Sequence, residues 1–348
     1  MLLLIKKYYL CTLKIIKFRK IINNQLSNII MKRRDFLTKG ISTGIAAGAA
    51  YPLLASNLES ETVSISTLDE QSLFSGDNLP LFWDQLTAPD FKKAVEKAQG
   101  VCIIPMGVVE KHGPHLPLGT DVMRAREMCR RAAGQEYAII FPDFYAGQIF
   151  EAMQQPGTIA YSTELMLKLL DETCREISRN GLKKIIIVNT HGGNGSFVGY
   201  FLQIQLESPR DYAVFSFSPR DDEETQRRIT ALRRSTTGGH ADEVETGEML
   251  AIHPEFVRLD QATTESGRNL NRLTLTNSST GISWYARYPN HYAGESEEST
   301  AELGEVRLSS RSRQLAETIR AVKADTATLR LQNEFFEHSL NPLKTGVW

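Results

Sequence analysis

The sequence has 348 residues, of which 41% are apolar and 23% charged, and a formal net charge of −1. That length allows one large domain or two modest ones, with ample apolar material for a core. The composition excludes disordered, collagen-like and coiled-coil classes, and the absence of a basic surplus argues against a nucleic-acid partner.

The charge is unevenly spread. Residues 1–30 hold six basic residues and no acidic one, and residues 31–55 carry a net +3, so the remainder carries −10. The leading 30 residues are almost all Leu, Ile, Lys, Asn and Tyr. We expect them to be a spurious upstream reading or an unstructured leader, with translation starting at Met31; a genuine basic amphipathic leader is the alternative. Residues 31–55 read MKRRDFLTKGISTGIAAGAAYPLLA. The pair Arg33-Arg34, then Phe36-Leu37, then a mildly apolar stretch ending in small residues, resembles a twin-arginine export signal. The expected location is therefore periplasmic. Lys39, several glycines and Pro52 make this stretch a poor permanent span, which needs about 20 strongly apolar residues. No stable membrane insertion after export is expected.

Residues 56–348 read as a single domain. Val101–Pro105, Tyr137–Phe141, Lys184–Val188 and Tyr212–Phe215 are short apolar, β-branched runs suited to strands covered on both faces. Between them lie helical patterns. Ser162 can cap a helix with Met166, Leu169, Leu170, Thr173, Cys174 and Ile177 on its buried face, ended by Asn180-Gly181. Further helices are expected over 122–133, 195–207, 242–252 and 302–330, a surface loop or short helix over 219–239, and irregular chain over 262–296. Strands separated by helices predict an α/β fold with a mainly parallel sheet. Cys11, Cys102, Cys129 and Cys174 show no C-x-x-C spacing; three lie in the body, an odd number that suits reduced, buried thiols better than disulfides.

Three polar motifs sit beside predicted element boundaries. The first, Gly107–Asp121, follows the strand at 101–105, and strand C-terminal ends are where open α/β sheets bind ligands. Glu110 and His112 are two apart, so extended backbone points them to one side. With Asp121 they make a carboxylate–imidazole set suited to Zn or Mn. The second motif, Asn189-Thr190-His191-Gly192-Gly193-Asn194, follows the strand at 184–188 and offers His191 as a third ligand; its glycines allow close backbone approach. In the third, Gly239–Glu248, Asp242 and Glu243 suit a helix N-terminus, while His240 and Glu245 can form an acid/base and metal-binding pair. Trp284, beside Tyr285 and Tyr288, is a packing residue or a pocket wall, and His115 is expected to hold its loop by hydrogen bonds.

Together these motifs resemble the creatininase (creatinine amidohydrolase) family: E-x-H-G-P-H-L-P-x-x-T-D, then N-x-H-G-G-N, then H-A-x-E-x-E-T. Pro156-Gly157-Thr158 and the stretch Tyr288–Gly294 are similar to further family segments. The resemblance implies a three-layer α/β/α fold with two divalent metal ions, Zn or else Mn or Fe. Glu110 and His191 would hold one ion, His112 the other, and Asp121 both. His240 matches a proposed catalytic acid/base. A homo-oligomer, often a hexamer, acting on a small-molecule substrate is implied as well. Creatininase proper has a Glu where this chain has Gly193, so Glu245 is the candidate replacement, ahead of Glu243 and Asp242; Ala152 also replaces a frequent His. The implied reaction is hydrolysis of a C–N bond in a cyclic or small amide by a metal-bound hydroxide, with His240 giving a proton to the leaving nitrogen. The rivals are hydrolysis of a sugar- or cyclitol-derived ring, and a non-catalytic periplasmic binding protein on the same scaffold.

Overall fold

The computed structural model describes residues 79–346. The leader, the twin-arginine segment, Cys11 and Trp348 lie outside the described residues. Helix α1 (Ala88–Lys97) precedes strand β1 (Val101–Met106), helix α2 (Thr120–Gln135) and the short β2 (Ile139–Ile140). Then come α3 (Thr163–Arg179), β3 (Lys184–Asn189), α4 (Asn194–Ile204), β4 (Ala213–Ser216), α5 (Glu223–Leu232) and α6 (Glu243–Ile252). The short α7 (Ser283–Arg287), the long α8 (Ala301–Ala324) and α9 (Thr328–Ser339) complete the order. The four strands form one parallel sheet in the order β2-β1-β3-β4.

Alternation along the strands makes the layers. Cys102, Ile104 and Met106 of β1 and Ile185 and Ile187 of β3 pack with residues of α1, α3 and α4. Val101, Ile103, Ile186 and Val188 pack instead with Met128, Cys129 and Ala132 of α2 and Leu308, Leu315 and Ile319 of α8. Helices therefore cover both sheet faces, the three-layer α/β/α arrangement expected from the sequence. Cys102, Cys129 and Cys174 are buried free thiols. No helix among the described residues is long and apolar enough to cross a membrane.

Local signals explain most element ends. Ser162 Oγ accepts the Leu165 amide at the start of α3, and Gly181, at φ +93°, follows its end. Met166, Leu170, Cys174 and Ile177 form the buried face, but Leu169 is exposed, one helical position outside it. The strand expected over 137–141 pairs only at Ile139 and Ile140. The helix expected over 302–330 is two helices. The Asp325 carboxylate accepts the amides of Ala327 and Thr328, which caps a new helix and ends the old one. Helix α1 was not anticipated, although Thr87 before Pro89 is a start signal, and Thr87 Oγ1 accepts the Asp90 amide.

The strand order positions the site. The chain leaves β1 for β2 on one side, then returns to pair β3 on the other side of β1. The loops leaving the C-terminal ends of β1 and β3 thus diverge, and the crevice between them is the ligand-binding position of such sheets.

Candidate metal centre

The first two motifs leave these two strand ends. Gly107 lets the β1 loop pass against the first turn of α2: a Cβ there would lie 2.7 Å from both Asp121 Cβ and Val122 N. Asp121 is consequently beside the strand end, and Thr190 Oγ1, after β3, donates to its carbonyl at 2.7 Å. Asn189 clamps His191 by accepting its amide at 3.2 Å and donating to its carbonyl at 2.7 Å. The third motif pairs with a late loop, His240 and Ala293 exchanging backbone hydrogen bonds of 3.1 and 3.0 Å.

These loops bring the sequence-predicted residues together. His191 Nδ1 lies 2.8 Å from Glu110 Oε1 and 3.1 Å from Asp121 Oδ2. His112 Nε2 lies 3.3 Å from Asp121 Oδ1 and 3.8 Å from Glu110 Oε1. His240 Nδ1 is 3.9 Å from Glu245 Oε2, and its Nε2 donates to the Lys111 carbonyl at 2.8 Å. Three groups have ligand atoms all within 4.8 Å of one another: Glu110–Asp121–His191, His112–Asp121–Glu245 and Glu110–His112–His240. Asp121 belongs to the first two. Of the other carboxylates of the third motif, Glu248 binds the Arg124 side chain, and Asp242 and Glu243 serve the backbone. Asp242 caps α6 by accepting the Val244 and Glu245 amides, and Glu243 accepts the amides of Arg234 and Ser235.

The cluster fits divalent cations. Glu110 Oε1, Asp121 Oδ2 and His112 Nε2 are buried and without a hydrogen bond, whereas buried polar atoms are normally paired. Imidazole and carboxylate donors in this mixture suit Zn or Mn. The charge balance agrees. Burial pushes the His112 imidazole down, but the Asp121 carboxylate beside it prevails and raises its pKa to about 9. Burial likewise opposes charge on His191, yet Glu110 and Asp121 raise it well above the ordinary histidine value. Burial would raise Glu110, but His191 foremost holds it well below the carboxylate range. Protons on imidazole thus neutralise the carboxylates, and a bound cation must displace them. His240 is different: burial and the neighbouring His112 charge push it down to about 4, leaving it neutral at neutral pH.

Sequence reasoning missed three participants. Buried Arg124, one turn after Asp121, binds Glu245 and Glu248; its i+3 spacing from Asp121 was the available signal. Gln148 accepts from His191 Nε2 through its carbonyl at 2.9 Å, with no motif to mark it. His291 hydrogen-bonds Glu110 Oε2 through Nε2; the stretch containing it stood out, but no role was attached to it. Of the two glycines in the second motif, Gly193 alone is crowded. A Cβ there would fall 2.5 Å from His191 Nε2, whereas Gly192 faces open space.

Several known proteins are similar to this chain. A creatinine amidohydrolase of Pseudomonas putida is 25% identical over 197 residues, covering 52% of this chain and 75% of the relative. A mycofactocin precursor peptide peptidase of Mycolicibacterium smegmatis is 28% identical, over 46% of this chain and 60% of its own. A 3-dehydro-scyllo-inosose hydrolase of Thermotoga maritima is 24% identical, over 52% and 59%. All three are hydrolases. A crystal structure of creatinine amidohydrolase matches with a TM-score of 0.60 at 22% identity, over 71% of this chain and 99% of the other, a likeness of fold. Structures similar at the same level include Zn–Zn and Mn forms of creatininase. The family profile for creatininase, creatinine amidohydrolase, matches residues 84–319. That span holds Glu110, His112, Asp121, His191, His240 and Glu245 as well as the whole sheet, and the chain belongs to the creatininase family.

Proposed function

We propose that the chain is a metal-dependent amidohydrolase that cleaves a C–N bond of a cyclic or other small amide. One observation carries the reading: two ligand groups, Glu110–Asp121–His191 and His112–Asp121–Glu245, share the Asp121 carboxylate inside one buried cluster. Glu110 and His191 would hold one divalent ion, His112 and Glu245 the second, with Asp121 between them. Zn or Mn suits this donor set, with Fe a further option. Two such ions supply Lewis acidity for a carbonyl oxygen and lower the pKa of water from about 16 toward about 7.

The protein's own groups do the rest. His240 keeps Nε2 on the Lys111 carbonyl, which fixes the ring and leaves Nδ1 for proton traffic. Neutral at working pH, it can take a proton at Nδ1 and deliver it to the leaving nitrogen. Glu245 Oε2, on the Nδ1 side, stabilises the imidazolium formed in between. The indole of Trp284, edge-on to His240 with ring centroids 6.0 Å apart, packs beside this group. The proposal includes the setting read from the sequence: an exported homo-oligomer acting on a small molecule.

A second reading, hydrolysis of a cyclitol- or sugar-derived ring, draws on the Thermotoga relative, matched over 52% of this chain. Metal analysis and a panel of cyclic amides, linear amides, short peptides and cyclitol ketones separate the two. We expect amide turnover, with His191→Ala and Asp121→Ala losing metal and hydrolysis together. Full metal content with lost activity contradicts the ligand roles, and turnover of the cyclitol alone favours the second reading.

A further inference from the structure

The two oxygens of Glu110 have different surroundings. Oε1 faces His191 Nδ1 at 2.8 Å and carries no hydrogen bond. Oε2 is in a close hydrogen bond with Nε2 of His291, a residue 181 positions away and 2% exposed. The other nitrogen of that ring, Nδ1, receives the indole hydrogen of Trp284 Nε1 at 2.9 Å. An indole N–H can only donate, and an ionised carboxylate can only accept. Nδ1 must therefore be the acceptor, and the ring's hydrogen lies on Nε2, aimed at Glu110.

The backbone holds this arrangement from both sides. The His291 amide donates to Tyr288 O at 3.0 Å, and its carbonyl accepts the amide of Gly113, in the first motif, at 3.4 Å. His291 sits at φ +52°, the left-handed region that non-glycine residues seldom occupy. Trp284 rests against Tyr288 with ring centroids 4.9 Å apart.

We propose that His291 is a positioning residue for Glu110, with Trp284 setting its tautomer, so that Oε2 is tethered and Oε1 is the oxygen offered to an ion. The inference rests on the metal reading above and adds to it the groups that decide how Glu110 binds. Outer hydrogen-bond partners of this kind orient a ligand and tune its donor strength, and their loss typically costs about ten- to a hundredfold in metal affinity or activity.

The test needs no substrate. The full chain is stripped with a chelator and reloaded with Zn(II), its affinity read by competition with a chromophoric chelator, and with Co(II), read by its visible spectrum. Trp284→Phe keeps an aromatic ring while removing the N–H and one ring of the indole. His291→Gln keeps a donor, and His291→Ala removes it. We expect Trp284→Phe to weaken Zn(II) about tenfold or more and to shift the Co(II) bands, with unchanged far-UV circular dichroism. His291→Gln should bind Zn(II) more tightly than His291→Ala. Wild-type affinity and spectrum in folded Trp284→Phe and His291→Ala would overturn the positioning role. A wild-type protein that binds neither ion defeats the metal reading itself, a distinct result; if His291→Ala does not fold, Trp284→Phe decides.

Discussion

Arg124 Nη1 lies 2.5 Å from Glu245 Oε1 and 3.5 Å from Asp121 Oδ1, while the rest of the guanidinium holds Glu248 Oε2 at 2.5 Å. One cation, 2% exposed, therefore ties both Glu245 and its helical neighbour Glu248 on α6 to the N-terminal part of α2. Burial disfavours its charge, but Glu248 and Glu245 more than compensate and raise its pKa.

Removing this cation strips Glu245 and Glu248 of their shared buried counter-charge, leaving Glu245 Oε2 with the Ala241 amide and Glu248 Oε1 with Arg307 Nε at 3.4 Å. Breaking a buried pair from one side costs about 3–5 kcal/mol, because the surviving charge is uncompensated. Arg124→Ala should lose about that much by urea denaturation. Arg124→Lys retains the charge but not the planar fork, and should fall between wild type and Arg124→Ala. A change below about 1 kcal/mol in Arg124→Ala would show that the network does not hold α6 to α2.

Gly193 has ordinary helical torsions, φ −61° and ψ −28°, so space alone requires glycine there. A Cβ would press on His191 Nε2 at 2.5 Å and Gln148 Oε1 at 2.6 Å, two groups already tied through the Gln148 carbonyl. Gly193→Ala should displace the His191 ring and weaken metal binding about tenfold or more, on the scale of a lost outer contact. Gly192→Ala meets nothing within 4 Å and should bind metal nearly as wild type does. Equal metal affinities in the two variants, measured by competition titration, would contradict this.

Metal removal should be visible as lost stability, since an ion that binds only the folded chain stabilises it by mass action. At a hundredfold excess over Kd the gain is about 2.7 kcal/mol, equivalent to about 5 °C in Tm for a domain of this size. Chelator-treated protein should melt lower by that margin and recover on adding Zn(II) or Mn(II). Asp121→Asn, lacking the carboxylate common to two ligand groups, should show little recovery. Recovery equal to wild type would remove Asp121 from the centre.

The sequence discloses what is local. Glu110, His112 and Asp121 lie in one short run after a strand, His191 follows the next long strand, and neighbouring parallel strands bring both runs to one end of the sheet. The alternation of β1 and β3 does the same for the two cores. What it hides is non-local or geometric. His291 meets Glu110 across 181 residues, through a loop without periodicity, and only the fold makes them neighbours. The end of α8 depended on whether Asp325 continued a helix or capped the next one, a choice helped by Lys184 Nζ, which donates to the Lys323 and Asp325 carbonyls at 2.7 Å. The short β2 follows from pairing with β1, which engages just Ile139 and Ile140.

His115 offers a pH test at a histidine that is not itself a candidate ligand. Its Nε2 bonds Thr246 Oγ1 at 2.7 Å, as its loop-holding role requires, and its Nδ1 is buried without a partner. Burial, aided by the charge of His112, pushes its pKa down to about 4. An unfolded histidine titrates near 6.5. Between these values the unfolded chain binds the extra proton and the folded chain does not, so stability rises with pH across the window and is lost as pH falls. Going from pH 7 to pH 5 should cost about 2 kcal/mol through this residue alone. His115→Gln can keep a hydrogen bond to Thr246 but cannot titrate. Its urea-denaturation stability should therefore decline less than that of wild type over the same interval, by about that amount. Parallel declines in the two proteins would mean that His115 accepts its proton in the folded state without penalty.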